Sequence, residues 1–267
     1  MPSLKSESEP GIHIQELSKT YNPESDEPVT AVDGLDLTIA DQEFISVVGP
    51  SGCGKSTLLR LIGGLTEPTS GRIYIDGQNV TGPIPEIGIV FQSATLLPWR
   101  TIHENVMFPC EALASTNELK EEMEYYSDQA DELLGLVGLE DFVDSQPNEL
   151  SGGMQQRAAI CRALVTDPSI LLMDEPFGAL DEFTRDKLNT ELLEIFRKTN
   201  KTIVFITHNI HEAVYLSDRV LVLTDRPAKV KDIVDIDIDR PRSPDVREST
   251  QFLDHVAEVR DEIEAYI

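Results

Sequence analysis

Residues 49 to 57 read Gly49-Pro50-Ser51-Gly52-Cys53-Gly54-Lys55-Ser56-Thr57, a GxxxxGK[ST] pattern whose residue types suit the holding of a nucleotide's phosphates. Glycines let the backbone turn its N–H groups inward and approach the β- and γ-phosphates closely, and a helix starting at Lys55 would aim its positive end at the same oxygens. Lys55 adds a full charge, and the Ser56 hydroxyl is a ligand for Mg²⁺. The strand-like run FISVV just before the loop and the apolar run LLRLIGGL just after it supply the context such a loop requires, against the alternative of a glycine turn with no ligand. Cys53 sits near the helix start, where thiols acidify. It reads either as a reactive thiol or simply as a residue small enough to fit.

A second chemical pair lies further on. Four apolar residues, Ile170 to Met173, run into Asp174-Glu175-Pro176, which puts two carboxylates where a buried strand emerges at its C-terminal end, the edge at which α/β sheets bind ligands. Asp174 is then expected as an outer-shell partner of Mg²⁺. The period of two in a strand turns Glu175 to the opposite side, towards an attacking water, as general base. Alone, an acid pair ending an apolar strand is common; joined to the phosphate loop it reads as the hydrolytic half of an ATP site.

These residues need a scaffold, and the apolar pattern outlines one. HIQEL and LDLTI alternate around an acidic, proline-bearing stretch, Asn22 to Pro28, and predict strand, loop, strand. Short β-branched runs then recur between helical stretches: FISVV, IGIVF, ILLMD, TIVFIT and RVLVL. The alternation predicts an α/β fold, a largely parallel sheet with helices on its faces, following a β-rich opening. Residues 102 to 148 break the rhythm; they are acidic and helical in pattern, with NELKEEMEYYSDQADELLGLVGL the clearest amphipathic run, and predict a helical subdomain spanning about 93–160. The tail predicts a strand over VKDIVDIDID, a Pro-Arg-Ser-Pro turn and a helix from about Asp245 to Tyr266. Domain limits follow: 1–11 disordered, 12–240 the ATPase domain, 241–267 a helical appendage.

The composition narrows the function classes. A formal net charge of -26, with 48 acidic against 22 basic residues, repels nucleic-acid phosphates and anionic lipid, so direct binding to either is not expected. Such acidity is either a heavily solvated surface or an adaptation to a salt-rich cytoplasm, where the Debye length falls toward ~3 Å near 1 M. No run reaches the ~20 apolar residues of a membrane-spanning helix, and the polar start, Met1 to Pro10, does not resemble a signal peptide. A cytoplasmic chain is expected. Cys53, Cys110 and Cys161 lie far apart without a CxxC pair, which predicts free thiols and neither zinc nor disulfides.

Leu150-Ser151-Gly152-Gly153-Met154-Gln155-Gln156-Arg157 resembles the signature sequence of ATP-binding cassettes, and the resemblance implies their fold, a P-loop NTPase cassette with a mainly parallel core sheet, an antiparallel β subdomain and a helical subdomain. It is a second loop at a helix start, where Ser151 and the amides of Gly152 and Gly153 suit a phosphate. The resemblance implies that this phosphate, also contacted by Gln155, belongs to ATP held by a second copy of the chain, so that two cassettes sandwich two nucleotides. It also implies that Tyr21 stacks on adenine, that Gln92 senses Mg²⁺ and water, that Asp181 in Ala179-Leu180-Asp181 couples the two sites, and that His208 contacts the γ-phosphate. Asn209 and His211 depart from the family pattern, in which Asp is usual after that histidine.

The segment Thr95-Leu96-Leu97-Pro98-Trp99-Arg100-Thr101 with Glu104-Asn105-Val106, and the tail DRPAKVKDIVDIDIDRPRSP, resemble cassettes of importers for nitrate, taurine and alkanesulfonates. That resemblance implies transmembrane permease subunits as partners, an external solute-binding protein behind them, and a peripheral position on the cytoplasmic face of the membrane. Leu97 and Trp99 are then either a docking patch for a permease helix or packed within the subdomain. Related cassettes serving pyrimidine precursors or riboflavin are the nearest alternative. A non-transport cassette ATPase is the more distant one; the basic surfaces or second cassette that would mark it are absent from the sequence.

Overall fold

A computed structural model describes residues 10–25, 27–114, 122–178, 180–199 and 201–264. The chain divides into two compact units, one built from residues 1–84 and 199–267, the other from 85–198.

The first unit opens with an antiparallel sheet. Strand β1 (Pro10–Tyr21) pairs with β2 (Val29–Ala40) on one side and with β4 (Ser70–Ile75) on the other, and β5 (Gln78–Asn79) lies outside β4. Alternation explains β2: Leu35, Leu37 and Ile39 are buried while Asp36 and Thr38 between them face water. The strand begins at Pro10, two residues ahead of the order expected from Ile12. Pro10 pairs with Ala40 at the strand's first position, where its missing N–H costs nothing, and the Gly11 carbonyl accepts from Asp76 N at 3.2 Å. Most of the segment expected to be disordered, residues 1–9, lies outside the described residues.

The parallel strands of this unit read as nearly continuous apolar runs because both faces are covered. Strand β3 (Phe44–Val48) is buried throughout and pairs in parallel with β8 (Thr202–Ile206) and β9 (Arg219–Leu223); β10 (Val230–Asp235) is antiparallel to β9. Helix α1 (Lys55–Ile62) buries Leu58, Leu59, Leu61 and Ile62 and stops at Gly63-Gly64, where Gly64 adopts φ +65 and Leu65 N donates back to Arg60 O. Helix α6 (Ile210–Leu216) and helix α7 (Thr250–Glu264) complete the unit. The tail corrects one expectation: residues 244–248 form a 3-10 turn, and α7 begins only at Thr250, where the Ser249 hydroxyl accepts from Phe252 N. Arg242, 6% exposed, ties the turn down by donating to the carbonyls of Val214, Tyr215, Ser217, Ile236 and Ile238; burial lowers its pKa to about 10.

In the second unit β6 (Ile87–Val90) and β7 (Ile170–Asp174) pair in parallel, and helices α2 (Ile102–Ala114), α3 (Met123–Leu136), α4 (Gly152–Leu164) and α5 (Glu182–Thr199) supply the helical mass. The amphipathic run expected over 117–139 appears as α3; its first residues, 117–121, lie outside the described residues. Ala130 and Leu134 are its buried face, one turn apart.

Candidate functional site

In the first unit the phosphate loop leaves β3 and enters α1, as its spacing requires. Gly49, Gly52 and Gly54 have φ of +155, +76 and +131. At Gly54 a Cβ would lie 2.5 Å from Ala31 O, so backbone packs where a side chain would stand. The Lys55 ammonium, on a residue only 7% exposed, donates to Gly49 O and Pro50 O at 2.9 Å each. A buried cation satisfied by carbonyls of its own loop, beside the N–H groups opening α1, suits a phosphate oxygen as a further acceptor. Tyr21 ends β1 with its hydroxyl 3.4 Å from Thr57 Oγ1, and Lys19 Nζ stands 5.2 Å from its ring. Ser51 is exposed, Pro50 and Ser56 half-buried.

Cys53 is a buried thiol. It is 0% exposed, and burial raises its pKa above the ordinary thiol value, outweighing the pull of Lys55. Its small size decides its place here.

His208 follows β8 and is exposed. The departures beside it keep the local bonding intact. Asn209 caps α6 by accepting from Glu212 N at 3.2 Å, which an Asp would also do, and Thr207 Oγ1 donates to the buried Glu212. His211 packs tilted against Phe252 of α7, ring centroids 5.9 Å apart at 45°.

In the second unit Asp174 closes β7, half-buried. Glu175 is displaced from its neighbour for a different reason than the one expected. It lies beyond the strand with φ +46, so a left-handed turn aims the carboxylate and the pleat does not. The turn brings it to Gln92, whose Nε2 is 3.4 Å from Glu175 Oε2. These are the two predicted catalytic groups of this unit, brought together from β6 and β7.

Ser151 caps α4, its hydroxyl accepting from Met154 N, and Ser151 and Gly152 are exposed while Gly153 is buried against Thr184. Gln155 donates to Pro147 O and Leu150 O, at 2.8 and 3.2 Å, and so braces the loop that carries Ser151. Asp181 caps α5, accepting from Thr184 N at 3.0 Å and Thr184 Oγ1 at 2.7 Å; these bonds hold its carboxyl below the usual range. Ala179 lies outside the described residues.

Residues 32–178 match the ABC transporter family. The chain belongs to that family. An uncharacterized ABC transporter ATP-binding protein of Methanocaldococcus jannaschii is 48% identical over 244 residues, 91% of this chain and 88% of the relative. The nitrate import ATP-binding protein of Synechococcus elongatus is 42% identical, over 86% of this chain and 83% of its own length. An aliphatic sulfonates import ATP-binding protein of Bacillus cereus is 41% identical, over 87% and 88%. Among solved structures, a dimeric ATP-binding cassette in a post-hydrolysis state with ADP and Pi superposes with TM-score 0.71 at 34% identity, covering 85% of this chain and all of that one.

The chain is therefore an ATPase cassette of the P-loop type. The contacts of two of its residues escaped the sequence reading. Gln156, buried, and Arg162, half-buried, reach from α4 back to the backbone around Gln92. Gln156 belongs to the signature segment, though nothing there marks this contact, and Arg162 shows only as a polar residue following Ala158, Ala159, Ile160 and Cys161, all buried.

Proposed function

We propose that this chain is the ATP-hydrolysing subunit of an importer for a small anion, nitrate or a sulfonate first, working as an ATP-sandwich homodimer. The observation that carries the hydrolytic part is the 3.4 Å approach of Gln92 to Glu175, an amide and a carboxylate close enough to contact one water in common beside them. Glu175 takes the proton of the attacking water, His208 contacts the γ-phosphate, and Gln92 senses the metal and water. Lys55 and the loop from Gly49 to Thr57 hold the phosphates, and Tyr21 stacks on adenine. Ser151, Gly152, Gly153 and Gln155 face the nucleotide of the second copy, with Asp181 coupling the two sites.

Ser56 and Gln92 would offer oxygen donors to Mg²⁺ with the Asp174 carboxylate in its outer shell, the kind of oxygen set that suits Mg²⁺ when phosphates and water complete its coordination. When bound it would neutralise the charge developing on the transferred phosphoryl group.

The small-anion reading draws on the relatives named for nitrate and aliphatic sulfonates and on the segment from Thr95 to Thr101. Trp99, 71% exposed, with Leu97 half-buried beside it, suits docking of a permease helix, which would hold the chain on the cytoplasmic face of the membrane. The excess of acidic residues suits a salt-rich cytoplasm.

The test is ATPase activity of the chain co-purified with its permease and candidate external binding proteins loaded with nitrate, taurine or an alkanesulfonate. Stimulation by one loaded binding protein supports the importer and names its substrate. Full hydrolysis indifferent to permease and binding protein rejects the importer and favours a non-transport ATPase.

A further inference from the structure

Helix α4 is capped by the exposed Ser151 and carries, further along, two side chains that grip the segment containing Gln92. Gln156, 4% exposed, donates from Nε2 to Phe91 O at 3.2 Å. The half-buried Arg162 donates from Nη2 to Ala94 O at 2.7 Å and to Thr95 Oγ1 at 3.1 Å, and from Nη1 to Thr95 O at 2.9 Å. Gln92 is thus anchored one residue before and two residues after its own position. Thr95, held by two of these bonds, has φ +46, a conformation a threonine keeps only under external restraint. The fork of Arg162 is what allows one side chain to hold successive carbonyls; a lysine has no such geometry.

We infer that Gln156 and Arg162 form a clamp through which the signature end of α4 sets the reach of Gln92 to Glu175, making both of them positioning residues for hydrolysis. This rests on the reading that Ser151 meets the partner copy's nucleotide. A phosphate drawn against the start of α4 displaces a rigid helix, and the clamp makes residues 91 to 95 follow it. The next segment is tied as well: Asn105, fully buried, accepts from Leu97 N at 2.6 Å and donates to the carbonyls of Leu97, Arg100 and Thr101. Trp99, the sole tryptophan of the chain, sits between the two anchorages and reports on both.

The experiment uses the full chain carrying Gln156→Met, which keeps volume and removes the donor, and separately Arg162→Lys, which keeps charge and removes the fork. Steady-state hydrolysis gives kcat and KM, and the MgATP-induced change in Trp99 emission is read in an E175Q background with light scattering to follow dimerisation. Expected is a kcat lowered by roughly 2- to 30-fold with KM for ATP and thermal midpoint unchanged, and a Trp99 response that shrinks in E175Q carrying either clamp variant. Unchanged kcat in both variants overturns the clamp, as does a fall in kcat fully matched by loss of folded protein. If E175Q dimerises with MgATP but its Trp99 response is the same with and without the clamp, the inference fails alone. If E175Q binds no MgATP dimer partner, the proposed function falls and takes the inference with it.

Discussion

Replacing Gly54 by Ala tests whether the phosphate loop is built as tightly as its geometry says, provided that Gly52→Ala is measured beside it. Both glycines have positive φ, +76 at Gly52 and +131 at Gly54. At Gly52 a Cβ meets nothing within 4 Å, so only backbone strain is added, about 1–2 kcal/mol. At Gly54 the Cβ would stand 2.5 Å from Ala31 O and 3.1 Å from Ala228 Cβ. Neither neighbour is free to retreat, because Ala31 O accepts from Ala228 N at 2.9 Å and both residues are buried. Strain of about 1–3 kcal/mol and overpacking of about 1–3 kcal/mol together give a cost of about 2–6 kcal/mol, a large part of the ~5–15 kcal/mol available to a folded domain. Any relief by moving the start of α1 shifts Lys55 off the carbonyls of Gly49 and Pro50. ATP affinity should then fall roughly tenfold or more, equivalent to about 1.4 kcal/mol. Urea unfolding gives the stabilities and a nucleotide titration the affinities. Equal stability and equal ATP binding in the two variants would refute the packing argument.

Glu175→Gln should leave MgATP binding intact while turnover drops by a factor on the order of 10² to 10⁴, checked by nucleotide titration and phosphate release; unchanged turnover removes Glu175 from the role of base. The charge of -26 predicts a melting temperature that rises between about 0.1 M and about 1 M KCl, as the Debye length shortens from ~10 Å to ~3 Å; a steady fall would sink the salt-adaptation reading. Near neutral pH the folded chain should resist a thiol-alkylating reagent. All three cysteines are buried, which raises Cys53 above its ordinary value and pushes Cys110 up to about 11 and Cys161 up to about 12, so thiolate is scarce until pH approaches those values. Mass spectrometry before and after unfolding checks this, and rapid labelling of the native chain would contradict it.

What the sequence determined by itself is what can be written within a few consecutive residues. The phosphate loop and its flanking strand and helix, the acid pair closing an apolar strand, the signature segment, and the nearly continuous apolar runs of β3, β7, β8 and β9 were all legible, because a backbone geometry or a burial period fixes the residue types locally. Tertiary structure decided what those segments do to one another. Glu175 is aimed by a left-handed turn that no periodicity announces. The thiol of Cys53 is governed by burial, which outweighs the helix start and the lysine beside it. Gln156 reaches Phe91 across 65 residues and Arg162 reaches Ala94 across 68, so neither contact leaves a local pattern. Hydrogen bonds between segments distant in the chain carry no spacing rule. They exist only once packing has brought α4 beside the backbone that follows β6, and that packing is specified by the whole second unit at once.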